Sequence, residues 1–184
     1  MIEAYKLRKV VEVPEGVEVN IVDREIQVKK GSLEVKRVLY FPTVEIKKEG
    51  NNIVLEPKRF TKKEKKIINT YKVHILNMVI GVQEPYTYKV KICASHFPMT
   101  VKVKGKKLEI KNFLGEKVPR IADIVNDVDV KIEGDEIIIT SANKEAAGQT
   151  AGNFEKATRI TNRDRRIFQD GLWIIQKAGK EILG

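Results

Sequence analysis

Two stretches of this chain carry the same run of apolar and polar positions. Val44-Glu45-Ile46-Lys47-Lys48-Glu49 alternates, breaks at Gly50-Asn51, and gives way to Asn52-Ile53-Val54-Leu55. Val128-Asp129-Val130-Lys131-Ile132-Glu133, Gly134-Asp135 and Glu136-Ile137-Ile138-Ile139 repeat that layout 84 residues later. A period of two puts successive side chains on opposite faces of a strand, so each stretch predicts a half-buried hairpin. Glycine followed by Asn or Asp tolerates positive φ, which a two-residue hairpin turn requires. The offset of 84 also pairs Pro14 with Pro98, Val17 with Val101, Glu25 with Glu109, Ile26 with Ile110, Gly31 with Gly115 and Lys72 with Lys156. One offset held without gaps through strands and turns predicts a tandem duplication.

After each hairpin the apolar period lengthens to about 3.6, the helical value. Thr61-Lys62-Lys63-Glu64 reads as a capping box, Ile67, Ile68, Tyr71, Ile75, Met78, Val79 and Val82 as one helical face, and Gly81 as its end. The second helix is expected over 143–160 and carries Ala146, Ala147, Gly148, Ala151 and Gly152. Glycine in a helix interior costs about 1 kcal/mol relative to alanine. Either tight packing on a sheet or an outside partner close to the backbone would account for it. A last strand is expected in each unit, over 86–94 and 171–176. The prediction is an α+β protein made of two copies of a small domain, 1–94 and 95–184, each an antiparallel sheet or open barrel packed on one helix.

Composition adds charge to this scaffold. Thirty-five Lys and Arg against 25 Asp and Glu give a formal net charge of +10, which favours a polyanionic partner. One cysteine, Cys93, excludes an internal disulfide and suits a reducing compartment. No apolar run approaches the roughly 20 residues a bilayer-spanning helix needs, so a cytoplasmic protein without a membrane partner is expected. Phosphate loops, nucleophile elbows and clustered metal ligands are missing from the sequence, and no cofactor is expected. Cys93 and His96, three residues apart, are the one pair that could form a thiol–imidazole dyad, although a straight strand would put them on opposite faces. Cys93 reads instead as a small buried hydrophobe and His74 as a histidine at the core edge. Catalysis has no supporting constellation.

The basic residues fall into three groups. Lys58, Arg59, Lys62, Lys63, Lys65 and Lys66 surround the first helix start, where cations oppose the helix dipole. Lys102 and Lys104 alternate with Val101 and Val103 and should point outward from a hairpin that also bears Lys106 and Lys107. Arg159, Arg163, Arg165 and Arg166 follow the second helix in a polar loop, and arginine's planar fork suits phosphate. Pairing with Asp164 and Asp170 is the competing use of those arginines. Aromatics make up 7% of the chain. Phe97, Phe113, Phe154, Phe168 and Trp173 read mostly as core, so shape and phosphate recognition of folded RNA fits better than a stacking ladder.

The residues Asn77-Met78-Val79-Ile80-Gly81-Val82, Ser95-His96-Phe97-Pro98, Asn112-Phe113-Leu114-Gly115-Glu116-Lys117 and Arg166-Ile167-Phe168-Gln169-Asp170-Gly171 allow a comparison. With the duplication, they make the chain resemble the family of the sixth protein of the large ribosomal subunit, in its archaeal and eukaryotic form, over about residues 10–176. The resemblance implies a non-enzymatic protein of the cytoplasmic ribosome that binds large-subunit ribosomal RNA near the sarcin–ricin loop. It further implies neighbouring ribosomal proteins and proximity to docking GTPase translation factors. Most RNA contact is then expected from the second domain: Arg159, Arg163, Arg165, Arg166, Lys156, Lys102, Lys104, Lys117, Arg120 and His96. Where bacterial members carry Tyr-Lys-Gly-Lys-Gly, this chain has Arg163 to Phe168, so contacts from that stretch do not transfer. A two-domain protein-interaction module outside the ribosome, its charge serving only solubility, is the alternative.

Overall fold

In a computed structural model, residues 7–95, 97–164 and 166–182 are described. They divide into two compact units, Met1–Glu84 and Pro85–Gly184. The first unit orders β1 (Lys9–Glu12), β2 (Glu18–Val22), β3 (Glu25–Lys30), β4 (Leu33–Val38), β5 (Val44–Glu49), β6 (Asn52–Pro57) and α1 (Lys62–Gln83). The second orders β7 (Tyr86–Cys93), β8 (Thr100–Lys104), β9 (Lys107–Lys111), β10 (Arg120–Asp123), β11 (Asp129–Glu133), β12 (Glu136–Ser141), α2 (Lys144–Ala157), β13 (Gly171–Lys177) and β14 (Lys180–Glu181). Every paired strand is antiparallel to its neighbour. Among the described residues each unit has two sheets and one long α-helix, the α+β plan expected from the repeat.

The hairpins form as the alternation dictates. Gly50 (φ 59°) and Gly134 (φ 57°) sit in the two turns in the left-handed conformation that glycine adopts without steric cost. Lys47 pairs with Val54 and Lys131 with Ile138, an offset of 84 on both strands. The offset is not constant, however. In the preceding hairpins Val22 pairs with Glu25 and Lys104 with Lys107, which puts the equivalent residues 82 apart. Both offsets are even, so the inward and outward faces survive the shift. Ile26 and Val28 are buried in the first unit as Leu108 and Ile110 are in the second. An ungapped alignment therefore matched the faces while misaligning the turns.

The last strand assigned to the first domain belongs to the second. β7 lies between β12 and β13 in the order β11-β12-β7-β13-β14, so the boundary falls at Glu84/Pro85 rather than after residue 94. Its place beside β12 matches that of β1 beside β6, so each unit opens with this strand.

Both helices start as expected. The Thr61 hydroxyl accepts from Lys63 N, and the Glu64 carboxylate accepts from the hydroxyls of Thr61 and Thr43. Those two donors, Thr61 first, hold the buried Glu64 at a pKa of about 2. Gly81 does not end α1; it is buried in the last turn, and the helix stops at Gln83, before Pro85. Asn143 caps α2 by accepting from Glu145 N and Ala146 N. α1 buries Ile68, Ile75, Met78, Val79 and Val82, whereas α2 buries Ala146, Ala147, Thr150, Ala151 and Phe154. Such small residues let α2 lie close to its sheet, where Ala147, Ala151 and Phe154 join Val90, Ile137, Ile139 and Leu172 in one core. At Gly148 a Cβ would stand 3.2 Å from the Tyr88 hydroxyl, so this glycine serves tight packing. Gly152 has nothing within 4 Å of that position and needs another explanation.

Candidate nucleic-acid interface

Arg120 organises the basic surface of the second unit. Nε and Nη2 donate to the two oxygens of Glu116 at 2.8 and 2.6 Å, while Nη1 donates to the carbonyls of Ala157 (2.9 Å) and Arg159 (3.2 Å). Its guanidinium also lies 4.2 Å from the centre of the Phe113 ring, within the range of a cation–π contact. The loop between β9 and β10 is thereby tied to the end of α2. In the first unit Lys30 and Leu33 close a tight turn at the matching place. The longer loop bears Lys117, and the segment after α2 bears Arg159 and Arg163. Arg120, expected to face RNA, already donates four hydrogen bonds to protein acceptors.

The clamped segments present cations to solvent. Lys117, Lys156 and Arg159 are exposed and have no ion-pair partner among the described residues. Arg163 is exposed, with its guanidinium 4.9 Å from the centre of the Phe168 ring, a contact that leaves its N–H donors available. The Glu116 carboxyl is held below the usual carboxylate range, first by the Arg120 hydrogen bond and in smaller part by the charges of Arg120 and Arg163.

Arg166 behaves differently. Nε and Nη2 close on the Asp164 carboxylate, with a shortest contact of 2.8 Å, and the Arg166 backbone N donates to the same group. The pair remains at the surface, with the Arg166 side chain 90% exposed. An exposed pair of this kind is weak enough for a phosphate to compete with. Asp170 is buried and accepts from Ser95 N, and among the described residues no arginine pairs with it. On the β8–β9 hairpin Lys102 is exposed and unpaired among the described residues, while Lys104 is bound to Glu109 at 2.8 Å. The outward stripe is thus half neutralised. Arg165 and His96 lie outside the described residues, and with His96 the Cys93–His96 pairing. Cys93 is half-buried rather than buried.

Two of the five aromatic side chains read as core are fully enclosed, Phe113 and Phe154. Phe97 is exposed, and Phe168 and Trp173 are half-buried. The Trp173 indole donates to Gln169 O at 3.0 Å. Strand alternation hides Leu172 and leaves Trp173 on the other face, while Phe97 and Phe168 lie outside any strand, where no alternation marks an inward face.

Fold and surface together define a duplicated α+β protein whose second copy carries exposed cations around the Arg120 clamp. The sequence profile of the Ribosomal protein L6 family matches residues 13–85 and 97–171, one match in each repeat. The chain is 46% identical over 177 residues to the large ribosomal subunit protein uL6 of Methanococcus vannielii, covering 96% of this chain and 97% of that protein. It is 47% identical over 177 residues to the protein of the same name from Methanobrevibacter smithii, covering 96% and 99%. The chain belongs to the Ribosomal protein L6 family. Among the described residues no helix is long and apolar enough to cross a membrane, and no group of three or more His, Cys, Asp or Glu could hold a metal ion.

Proposed function

We propose that this chain is a structural constituent of the large ribosomal subunit. It binds large-subunit ribosomal RNA near the sarcin–ricin loop, beside the docking region of GTPase translation factors and next to other large-subunit proteins. The two archaeal relatives, both large ribosomal subunit proteins, support the subunit assignment, and the family resemblance supports the position. The observation that carries RNA contact is the braced edge, where Lys117, Lys156, Arg159 and Arg163 stand exposed around the Arg120 clamp. Lys102 extends this set, Arg165 is added from its place in the sequence alone, and Arg166 joins if phosphate displaces Asp164. Lys104 contributes less because Glu109 already holds it. Arg120 acts through the loops it positions. These side chains engage phosphates and sugars and place the protein on a folded RNA.

Filter binding of the full chain to a fragment of large-subunit RNA, over a salt series, tests this reading. Affinity should fall steeply with salt, because each neutralised phosphate releases condensed counterions. Replacing Arg163, Arg165 and Arg166 together with Ala should weaken binding and flatten the salt slope by about 0.7–0.9 per lost phosphate contact. Unchanged affinity would remove the loop from the interface.

A further inference from the structure

We propose that the cleft at the C-terminal end of α2 receives one unstacked nucleobase of the bound RNA. This rests on the RNA-binding reading above and adds a base-reading element to a surface otherwise built for phosphate. The cleft encloses about 280 Å³ between the last turns of α2 and the start of β13. That is just under the roughly 300–1,000 Å³ typical of drug-sized ligand sites, a scale that suits a single base and excludes a duplex.

Four features make it a built site. Gly152 lines it, and a Cβ there would meet nothing within 4 Å. The protein's own packing therefore gives no reason to accept glycine's cost of about 1 kcal/mol, whereas Gly148, one turn earlier, is explained by Tyr88. An absent side chain at 152 keeps the cleft open. Trp173, the only tryptophan in the chain, also lines the cleft, and its indole donates to the Gln169 carbonyl. The walls are stapled together: the buried Thr158 hydroxyl accepts from Leu172 N at 2.9 Å, and Gly171, at φ 151°, brings the strand within reach. Lastly, Lys156 and Arg159 line the cleft together with the half-buried Glu155. A free phosphate would meet that carboxylate unfavourably. A nucleotide suits the whole set: the base stacks on the indole and donates an N–H to Glu155, and its phosphates meet the two cations.

Because Trp173 is unique, its emission reports on the cleft directly. The full chain is titrated with a structured large-subunit RNA fragment and, separately, with heparin, a polyanion without bases. Quenching of Trp173 by the RNA but not by heparin is the expected result. Gly152→Leu should fill the cleft and lower RNA affinity roughly 5- to 150-fold, the equivalent of about 1–3 kcal/mol of base–aromatic stacking, with heparin binding unchanged. Gly152→Ala, which adds a methyl in open space, should keep the fold and lose less. Trp173 emission unmoved by RNA, or a folded Gly152→Leu protein that binds RNA like the unmodified chain, would overturn the proposal. If the triple arginine variant still loses affinity, RNA binding stands and the cleft alone fails. Failure of the unmodified chain to bind RNA at all would defeat both. Quenching in the unmodified chain decides the question even if Gly152→Leu does not fold.

Discussion

The two units begin alike and part company where their helices end. α1 runs for 22 residues and α2 for 14, although both start from matching caps, Thr61 and Asn143. The first unit uses its extra residues for about two more helical turns carrying Met78, Val79 and Val82 into the core. At the same place the second unit leaves the helix and forms the polar, arginine-bearing segment ahead of β13. It also lengthens the turn between its third and fourth strands, and Arg120 ties the two additions together. A duplicated scaffold can thus keep its core pattern in both copies and confine new chemistry to one. The changes fall at a helix terminus and a hairpin turn, where no buried ladder has to be rebuilt.

The largest expected effect tests whether the shorter helix is anchored mainly through one aromatic. Phe154→Ala should destabilise the second unit by about 3–5 kcal/mol, since Phe154 is fully buried in one core with Val90, Ile137 and Leu172 and its loss leaves a cavity there. Ile75→Ala in α1 should cost about 2–5 kcal/mol, and at the lower end if Met78 and Val79 repack. Chemical denaturation of both variants compares the helices; equal losses would show the anchoring is shared alike. A smaller effect, about 2 kcal/mol, is expected for Arg120→Ala from its carboxylate and carbonyl bonds. The same variant should speed amide exchange around Arg159, Arg163 and Phe168 and leave α1 unaffected. Uniform exchange rates in that segment would remove Arg120 as the brace.

Acid should separate the helix caps. Glu64 titrates at about 2 in the folded chain, below its ordinary 4.5, because hydroxyls of Thr61 and Thr43 stabilise the carboxylate. A depressed folded value contributes stability that is present above pH 4.5 and lost as pH falls toward 2. Glu64→Gln should therefore flatten the pH dependence of stability within that window. The α2 cap uses Asn143, which does not titrate there, so Asn143→Ala should lower stability without changing the slope. An unchanged slope in Glu64→Gln would place the acid sensitivity elsewhere.

Much of this architecture was legible from residue order. Both hairpins with their glycine turns, both helix starts and the doubling followed from local periodicity, the Thr61–Glu64 capping box and the repeated offset. The boundary was missed because sheet membership is not local: β7 is recruited by β12 and β13, strands that arrive much later in the chain. Gly81 misled because a buried glycine can serve packing as readily as termination. At the candidate site, Arg159, Arg163 and Lys117 were visible as cations, but Arg120 looked the same as they did. Only the carbonyls of Ala157 and Arg159, brought over from another element, turn it from a surface contact into a brace. Local spacing did expose Arg166 to capture by Asp164, two residues away.

The most direct test of the central claim is lysine acetylation of the full chain, free and after incorporation into large subunits, read residue by residue by mass spectrometry. Lys117, Lys156 and Lys102 should react readily in the free chain and become strongly protected in the subunit, while Lys104 changes less. Equal reactivity of Lys117 and Lys156 in both states would mean that the braced edge of the second unit faces solvent in the ribosome, contradicting the account.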